Sequence, residues 1–186
     1  MIYLIVGGSH AGKTSFVKNS FIRDNQIHVY KDLTWVTETD DCYLLGRYDL
    51  DKRAIGTDCI SRCEIPVIPE QIDRLLSGNK NNIVLEGDKI CSRTVFNHVK
   101  SLNVPTKLYW IRVSPEISIQ RNKEFNTIVS NKLLKSVCTK AKNIYYEYCD
   151  VFNGEIFDTD NESDFGTFSL YTRTSVKDIS HKIKLF

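Results

Sequence analysis

The residues Gly7-Gly8-Ser9-His10-Ala11-Gly12-Lys13-Thr14 stand directly behind the apolar run Ile2-Tyr3-Leu4-Ile5-Val6. They fit G-x-x-x-x-G-K-[ST], a phosphate-binding loop in its proper place between a buried strand and a helix. Glycines let such a backbone curl until its N–H groups converge on phosphate oxygens, and a helix starting at Lys13 aims the positive end of its dipole at the same point. Lys13 would reach the β- and γ-phosphates of a nucleoside triphosphate, ATP in the first instance, and the Thr14 hydroxyl would ligate Mg²⁺. With glycine near 7% of average usage, the required residues fall together by accident in roughly one chain in a hundred of this length.

A second chemical signal is Glu86-Gly87-Asp88, which closes the short apolar run Ile83-Val84-Leu85. Ligands of parallel α/β sheets sit outside the carboxyl ends of the strands, so a buried strand that delivers an acid there suits phosphoryl transfer. Glu86 is the candidate to hold Mg²⁺ beside Thr14, or to take a proton from an attacking hydroxyl. Asp88, one step beyond the strand, reads more simply as a polar turn.

The elements that must position these residues alternate along the chain. Behind the loop, Phe16, Val17, Ser20 and Phe21 share one face of a helix from about residue 13 to 24, and Ile27-His28-Val29-Tyr30 has the brevity and branching of a second strand. Tyr43-Leu44-Leu45 is strand-like and gives way to a glycine-punctuated, charged segment that ends at Arg62. Pro69 suits the first turn of a helix carrying Ile72, Leu75 and Leu76. Another helix, through Val95, Phe96 and Val99, leads to a strand over residues 107–113. Ser114-Pro115-Glu116 then has the order of an N-cap, a first-turn proline and an acid at the positive helix end. Helical pattern continues through Tyr148 with a break near Asn126, and Glu155-Ile156-Phe157-Asp158 reads as a fifth strand. Val176, Ile179 and Ile183 would share one face of a last helix. This pattern predicts a single α/β domain over residues 1–186, a three-layer P-loop NTPase fold. Its five-stranded, mostly parallel sheet is flanked by helices.

Composition bounds the rest. A chain of 186 residues at 41% apolar content suits one well-buried core. No apolar run approaches the roughly 18 residues of a membrane span, and no basic flank of a signal peptide precedes the first strand. The expected location is therefore the cytoplasm, a host's cytoplasm if the chain is viral, with no membrane partner. Cysteines 42, 59, 63, 91, 138 and 149 form no C-x-x-C pair and read as reduced thiols; Cys59, Cys63 and His98 are poorly spaced for zinc. Net charge is only +2, but Arg121, Lys123, Lys132, Lys135, Lys140 and Lys142 face the single acid Glu124 within their stretch, whereas residues 147–164 hold seven acids and no base. The basic run is either a solvated helix face or a surface that meets a polyanion.

From the first strand to about residue 158 the order of motifs resembles the small P-loop kinases of nucleosides and nucleotides. That resemblance implies a small helical lid at about 115–143 whose arginines brace the transferred phosphoryl group, with Arg121 as the lid arginine and Lys123 as a helper. Where those kinases place a second lid arginine, this chain has Lys123-Glu124-Phe125. Leu45-Gly46-Arg47-Tyr48, followed by Gly56-Thr57-Asp58 and Ser61, is similar to the phage-type 5-hydroxymethyluracil DNA kinases. The similarity implies an acceptor in DNA containing a modified pyrimidine, with Asp58 as base for its hydroxyl. Arg47 and Tyr48 would contact the base or the DNA backbone, and Trp35 or Tyr48 would either offer a stacking surface or pack in the core.

The leading expectation is thus a kinase using ATP and Mg²⁺, with Lys13, Asp58, Glu86 and Arg121 in the chemistry. A free nucleoside or nucleoside monophosphate is the alternative acceptor. A nucleotide-dependent switch is the third possibility, but Asn79-Lys80-Asn81-Asn82 lacks the aspartate of N-K-x-D and precedes the wrong strand.

Overall fold

The computed structural model describes residues 1–22, 28–29, 36–48, 56–60 and 62–160. Its strands are β1 (Ile2–Gly7), β2 (His28–Val29), β3 (Val36–Glu38), β4 (Cys42–Leu45), β5 (Asn82–Glu86), β6 (Thr106–Arg112) and β7 (Glu155–Asp158). They form one sheet in the order β2-β3-β4-β5-β1-β6-β7. The five strands from β4 to β7 are parallel, and β3 and β2 extend the sheet antiparallel.

Seven strands replace the expected five, and the second parallel strand is not where the sequence pattern puts it. Cys42–Leu45 holds that position because its residues are buried throughout, as a strand covered on both faces must be. His28–Val29 instead pairs antiparallel with β3 at the sheet edge.

Period-two alternation sorts each central strand between two cores. Ile2, Leu4 and Val6 of β1, with Ile83 and Leu85 of β5 and Leu108 and Trp110 of β6, pack beneath α2 (Ile68–Leu76), α3 (Arg93–Ser101) and α5 (Asn131–Tyr148). Tyr3, Ile5, Val84, Tyr109 and Ile111 face the other way, toward Phe16 and Val17 of α1 (Lys13–Phe21). Helices therefore cover both faces, which is the three-layer arrangement expected. α1 stops at Phe21, short of residue 24, where Ile22 turns extended and its N–H caps the Lys18 carbonyl.

The predicted break near Asn126 is present. Ser114 accepts from the Ile117 N–H and opens α4 (Pro115–Glu124), and Asn126 adopts a left-handed conformation (φ 50°). Ser130 caps α5 in the same way through the Leu133 N–H. Within the expected lid segment α4 buries Ser118 and Asn122. Leu134, Val137, Cys138 and Ala141, inside the expected 115–143 segment, are buried on α5. The last expected helix, Trp35 and Ser61 lie outside the described residues.

Candidate active site

The phosphate loop leaves the carboxyl end of β1, the middle strand of the parallel set, and its last residues enter α1. Gly12 takes a left-handed conformation (φ 88°) as the residue that caps α1, and His10 takes another (φ 59°). The Lys13 ammonium curls back to donate to the Gly8 carbonyl at 2.7 Å. Gly8 occupies a position that the motif leaves open, yet a Cβ there would lie 2.5 Å from Cys138 Sγ and 2.8 Å from Val113 Cγ1. The loop is thus seated directly on α5. Burial pushes the Cys138 thiol pKa up, so it serves there as a small apolar neighbour.

Glu86 reaches the loop through sheet register. Ile5 pairs with Glu86, so β5 ends level with the last turn of β1 before the loop. Alternation from Val84 puts the Glu86 side chain on the α1 face, where Thr14 begins the helix. The Thr14 hydroxyl donates to Glu86 Oε1 at 3.2 Å, and Glu86 is only 2% exposed. Hydroxyl and carboxylate oxygens converging at a phosphate loop are the hard donors that Mg²⁺ takes, so these two residues fit the ion.

The glycine-punctuated segment packs onto the same carboxylate. Arg47 and Gly56 exchange backbone hydrogen bonds of 3.3 and 2.7 Å, and Thr57 Oγ1 donates to the Glu86 carbonyl at 2.5 Å. Gly56 (φ 65°, ψ −146°) holds a conformation essentially open to glycine alone, and a Cβ on it would overlap Glu86 Oε1. Asp58 lies in the middle of the 3-10 turn Thr57–Cys59 that follows, so its backbone is brought beside Glu86. Tyr48 corrects an expectation. It is fully buried in the core on the α1 face, where its ring is packing rather than a surface for a base or for DNA.

On the other side of β1, α4 holds the loop's outer edge. Ser118, Arg121 and Asn122 fall at i, i+3 and i+4, hence on one helix face. Ser118 Oγ donates to the Ser9 carbonyl at 2.8 Å, and Arg121 Nη1 donates to the His10 carbonyl at 3.1 Å. The same guanidinium donates to the carbonyl and hydroxyl of Thr159, just past β7. The Thr159 hydroxyl donates to the Arg112 carbonyl at 2.9 Å and lies 3.4 Å from the Ala11 carbonyl. In this arrangement Arg121 ties the loop to the end of β7. His10 Nε2 lies 3.3 Å from both Asn122 Oδ1 and Thr127 Oγ1, and its ring stacks on Phe125 at 5.8 Å. Burial lowers the His10 pKa and the Lys13 and Arg121 charges add to that, against the bond to Asn122, so the imidazole is neutral near pH 7.

The buried polar residues mark this shell. Seven are found among the described residues, and Thr57, Glu86, Ser118, Asn122 and Thr159 all belong to the surroundings of the loop. The two others, Thr37 and Thr39, bond within the β3–β4 hairpin. Of the shell, only Glu86 was singled out by sequence. Ser118 and Asn122 carried a signal that was open to reading, because polar residues flank Arg121 at helical spacing on the face turned to the loop. Asp88, left as a turn residue, pairs with Lys140 at 3.0 Å. Among the described residues no group of three or more potential ligands gathers for a metal, and His98 bonds Asp73 instead. Cys42, Cys59, Cys91, Cys138 and Cys149 are free thiols, and no described helix is long and apolar enough to cross a membrane.

No protein-family model and no curated protein matches the sequence. Among solved structures, the chain is similar to a deoxyadenosine kinase from M. mycoides with dCMP and a flexible dCDP bound, at 14% identity and a TM-score of 0.45 over 100% of both chains. The same kinase with bound dATP is 13% identical with a TM-score of 0.48, over 99% of this chain and 100% of that one. Likeness of this degree bears on neither family membership nor activity.

Proposed function

We propose that this protein is a nucleoside-triphosphate-dependent kinase whose acceptor is the hydroxyl of a free nucleoside or nucleoside monophosphate. The observation that supports this is the meeting of Thr14 and Glu86 at the mouth of the phosphate loop, beneath a glycine-tight segment that leads into the turn Thr57–Cys59. The acceptor oxygen would bond the γ-phosphorus as the bond to the β,γ-bridging oxygen breaks, and its proton would pass to Asp58. Loop amides and Lys13 hold the triphosphate in line, while Thr14 and Glu86 hold Mg²⁺. When bound, that ion neutralises charge on the β- and γ-oxygens. Arg121 keeps the loop in shape from the α4 side.

A small acceptor is favoured over DNA by the fate of the basic run. Lys140 is paired with Asp88 and Arg121 is turned to backbone carbonyls, while Lys132, Lys135 and Lys142 lie on the exposed face of α5. Incubation with γ-labelled ATP tests the choice, using nucleosides, monophosphates and duplex DNA with and without 5-hydroxymethyluracil. Label in a nucleoside or monophosphate is expected. Label confined to modified DNA would replace this acceptor with the DNA base, and binding of ATP with no transfer to any acceptor would favour a nucleotide switch.

A further inference from the structure

We infer that Phe125, stacked on His10 at the edge of the phosphate loop, is the platform on which the base of the donor nucleoside triphosphate lies. This rests on the kinase function proposed above and adds the subsite for the donor's base.

Three observations lead there. Phe125 is 65% exposed although it directly follows a helix packed on the loop, and its ring lies parallel to that of His10 within 19°. One face of the Phe125 ring is thus set against a residue of the phosphate loop itself. Secondly, the exposure is built rather than frayed. The Phe125 and Asn126 N–H groups close the end of α4 on the Arg121 and Lys123 carbonyls, and Thr127 N–H bonds the Asn122 carbonyl at 3.1 Å. Asn122 Nδ2 then holds the Val129 carbonyl at 3.2 Å, so the turn that presents the ring is pinned at both ends. A pre-ordered aromatic ring binds a planar base at little entropic cost.

The third observation separates donor from acceptor. Glu86 and the turn Thr57–Cys59 follow β5 and β4 on one side of β1, whereas Phe125 ends the helix that follows β6 on the other. A nucleotide whose phosphates occupy the loop would extend its ribose and base on the side away from the acceptor elements. Any base has a π-face, so the platform gives affinity with little choice among ATP, GTP, CTP and UTP.

Calorimetric titration of the full-length protein with Mg²⁺, using ATP and inorganic tripolyphosphate, tests the inference. The second probe has the phosphates and lacks the base. Phe125→Ala should weaken ATP about tenfold, within the range for loss of one base–aromatic stack. Tripolyphosphate should bind the variant within about twofold of wild type, and Phe125→Tyr should restore ATP affinity. Unchanged ATP affinity in Phe125→Ala would overturn the platform. Equal loss of both ligands would do so too, by showing that the ring only shapes the loop. A raised acceptor KM with donor binding intact would move the ring to the acceptor. Failure of the wild-type protein to bind either probe would instead remove the donor site itself, and the kinase proposal with it.

Discussion

The two flanks of the phosphate loop are held by different physical means. On the β6 side, three side chains from α4 make separate hydrogen bonds along the loop's outer edge at Ser9 and His10, and Thr159, past the end of β7, lies against Ala11. On the β5 side, the Glu86 carboxylate meets the Thr14 hydroxyl, the Glu86 carbonyl accepts from Thr57, and Gly56 lies against the carboxylate so closely that there is no room for a methyl group. A set of parallel hydrogen bonds degrades gradually, since each contributes about 1 kcal/mol net. A close-packed contact at a glycine-only conformation fails at once. The donor flank should therefore tolerate single changes and the acceptor flank should not.

The largest effect is expected where both flanks converge. Lys13→Ala should lower phosphoryl transfer by about a hundredfold or more, as expected for loss of a preorganised charge on the transferred group. Its thermal unfolding should stay within a few degrees of wild type, because Lys13 is bonded only within its own loop, to the Gly8 carbonyl. Labelled-phosphate transfer beside a melting curve reads both, and near-normal turnover would sink the assignment of the loop.

Next comes the acceptor flank. Gly56→Ala must move either the backbone or the Glu86 carboxylate, so turnover should fall tens of fold while ATP affinity changes little. A stability loss of about 1–3 kcal/mol should accompany it, the cost of a strained backbone. If turnover survives with the strain, Glu86 does not work where the Thr14 contact puts it.

These contrasts also explain what could be read from the sequence. The loop, the parallel strands, the Ser114 cap and the break near Asn126 were legible because each follows from local pattern: a motif, an apolar run, a capping side chain. Glu86 was legible because it terminates such a run. Tyr48 was misplaced because a tyrosine in a charged segment looks like surface until β4 is known to carry it into the α1-side core. The strand count failed for a related reason. Val36–Glu38 gains its strand conformation from pairing outward from β4, a tertiary contact that no short-range pattern announces, whereas His28–Val29 was legible as a strand and only its antiparallel place at the sheet edge was not. Ser118, Asn122 and Thr159 were missed because a polar residue buried against another loop's carbonyls resembles an exposed one in sequence.

A smaller effect probes the donor flank. Asn122→Ala removes the acceptor for His10 and the hold on the Val129 carbonyl, yet leaves Ser118 and Arg121 on the loop. ATP KM should rise a few fold with kcat nearly unchanged, and stability should drop by about 1–2 kcal/mol for the lost bonds. Should Asn122→Ala cost as much activity as Gly56→Ala, the two flanks would not differ in the way their construction implies.

The smallest effect concerns the charge state of His10. Its pKa is lowered in the fold, chiefly by burial and further by the Lys13 and Arg121 charges, so the unfolded chain binds this proton more readily than the folded one. Stability linked to His10 is then complete above the ordinary histidine value of about 6.5 and declines as pH falls below it toward the folded pKa. The slope arises on the donor flank alone, because His10 faces Asn122 of α4 and Phe125 and Thr127 of the turn that follows it. Thermal melts of wild type and His10→Asn across pH 5 to 8 isolate it: the wild-type melting temperature should fall more steeply below about pH 6.5 than that of the variant. Parallel curves would mean that His10 titrates alike in both states, and that this turn does not shelter its ring from water.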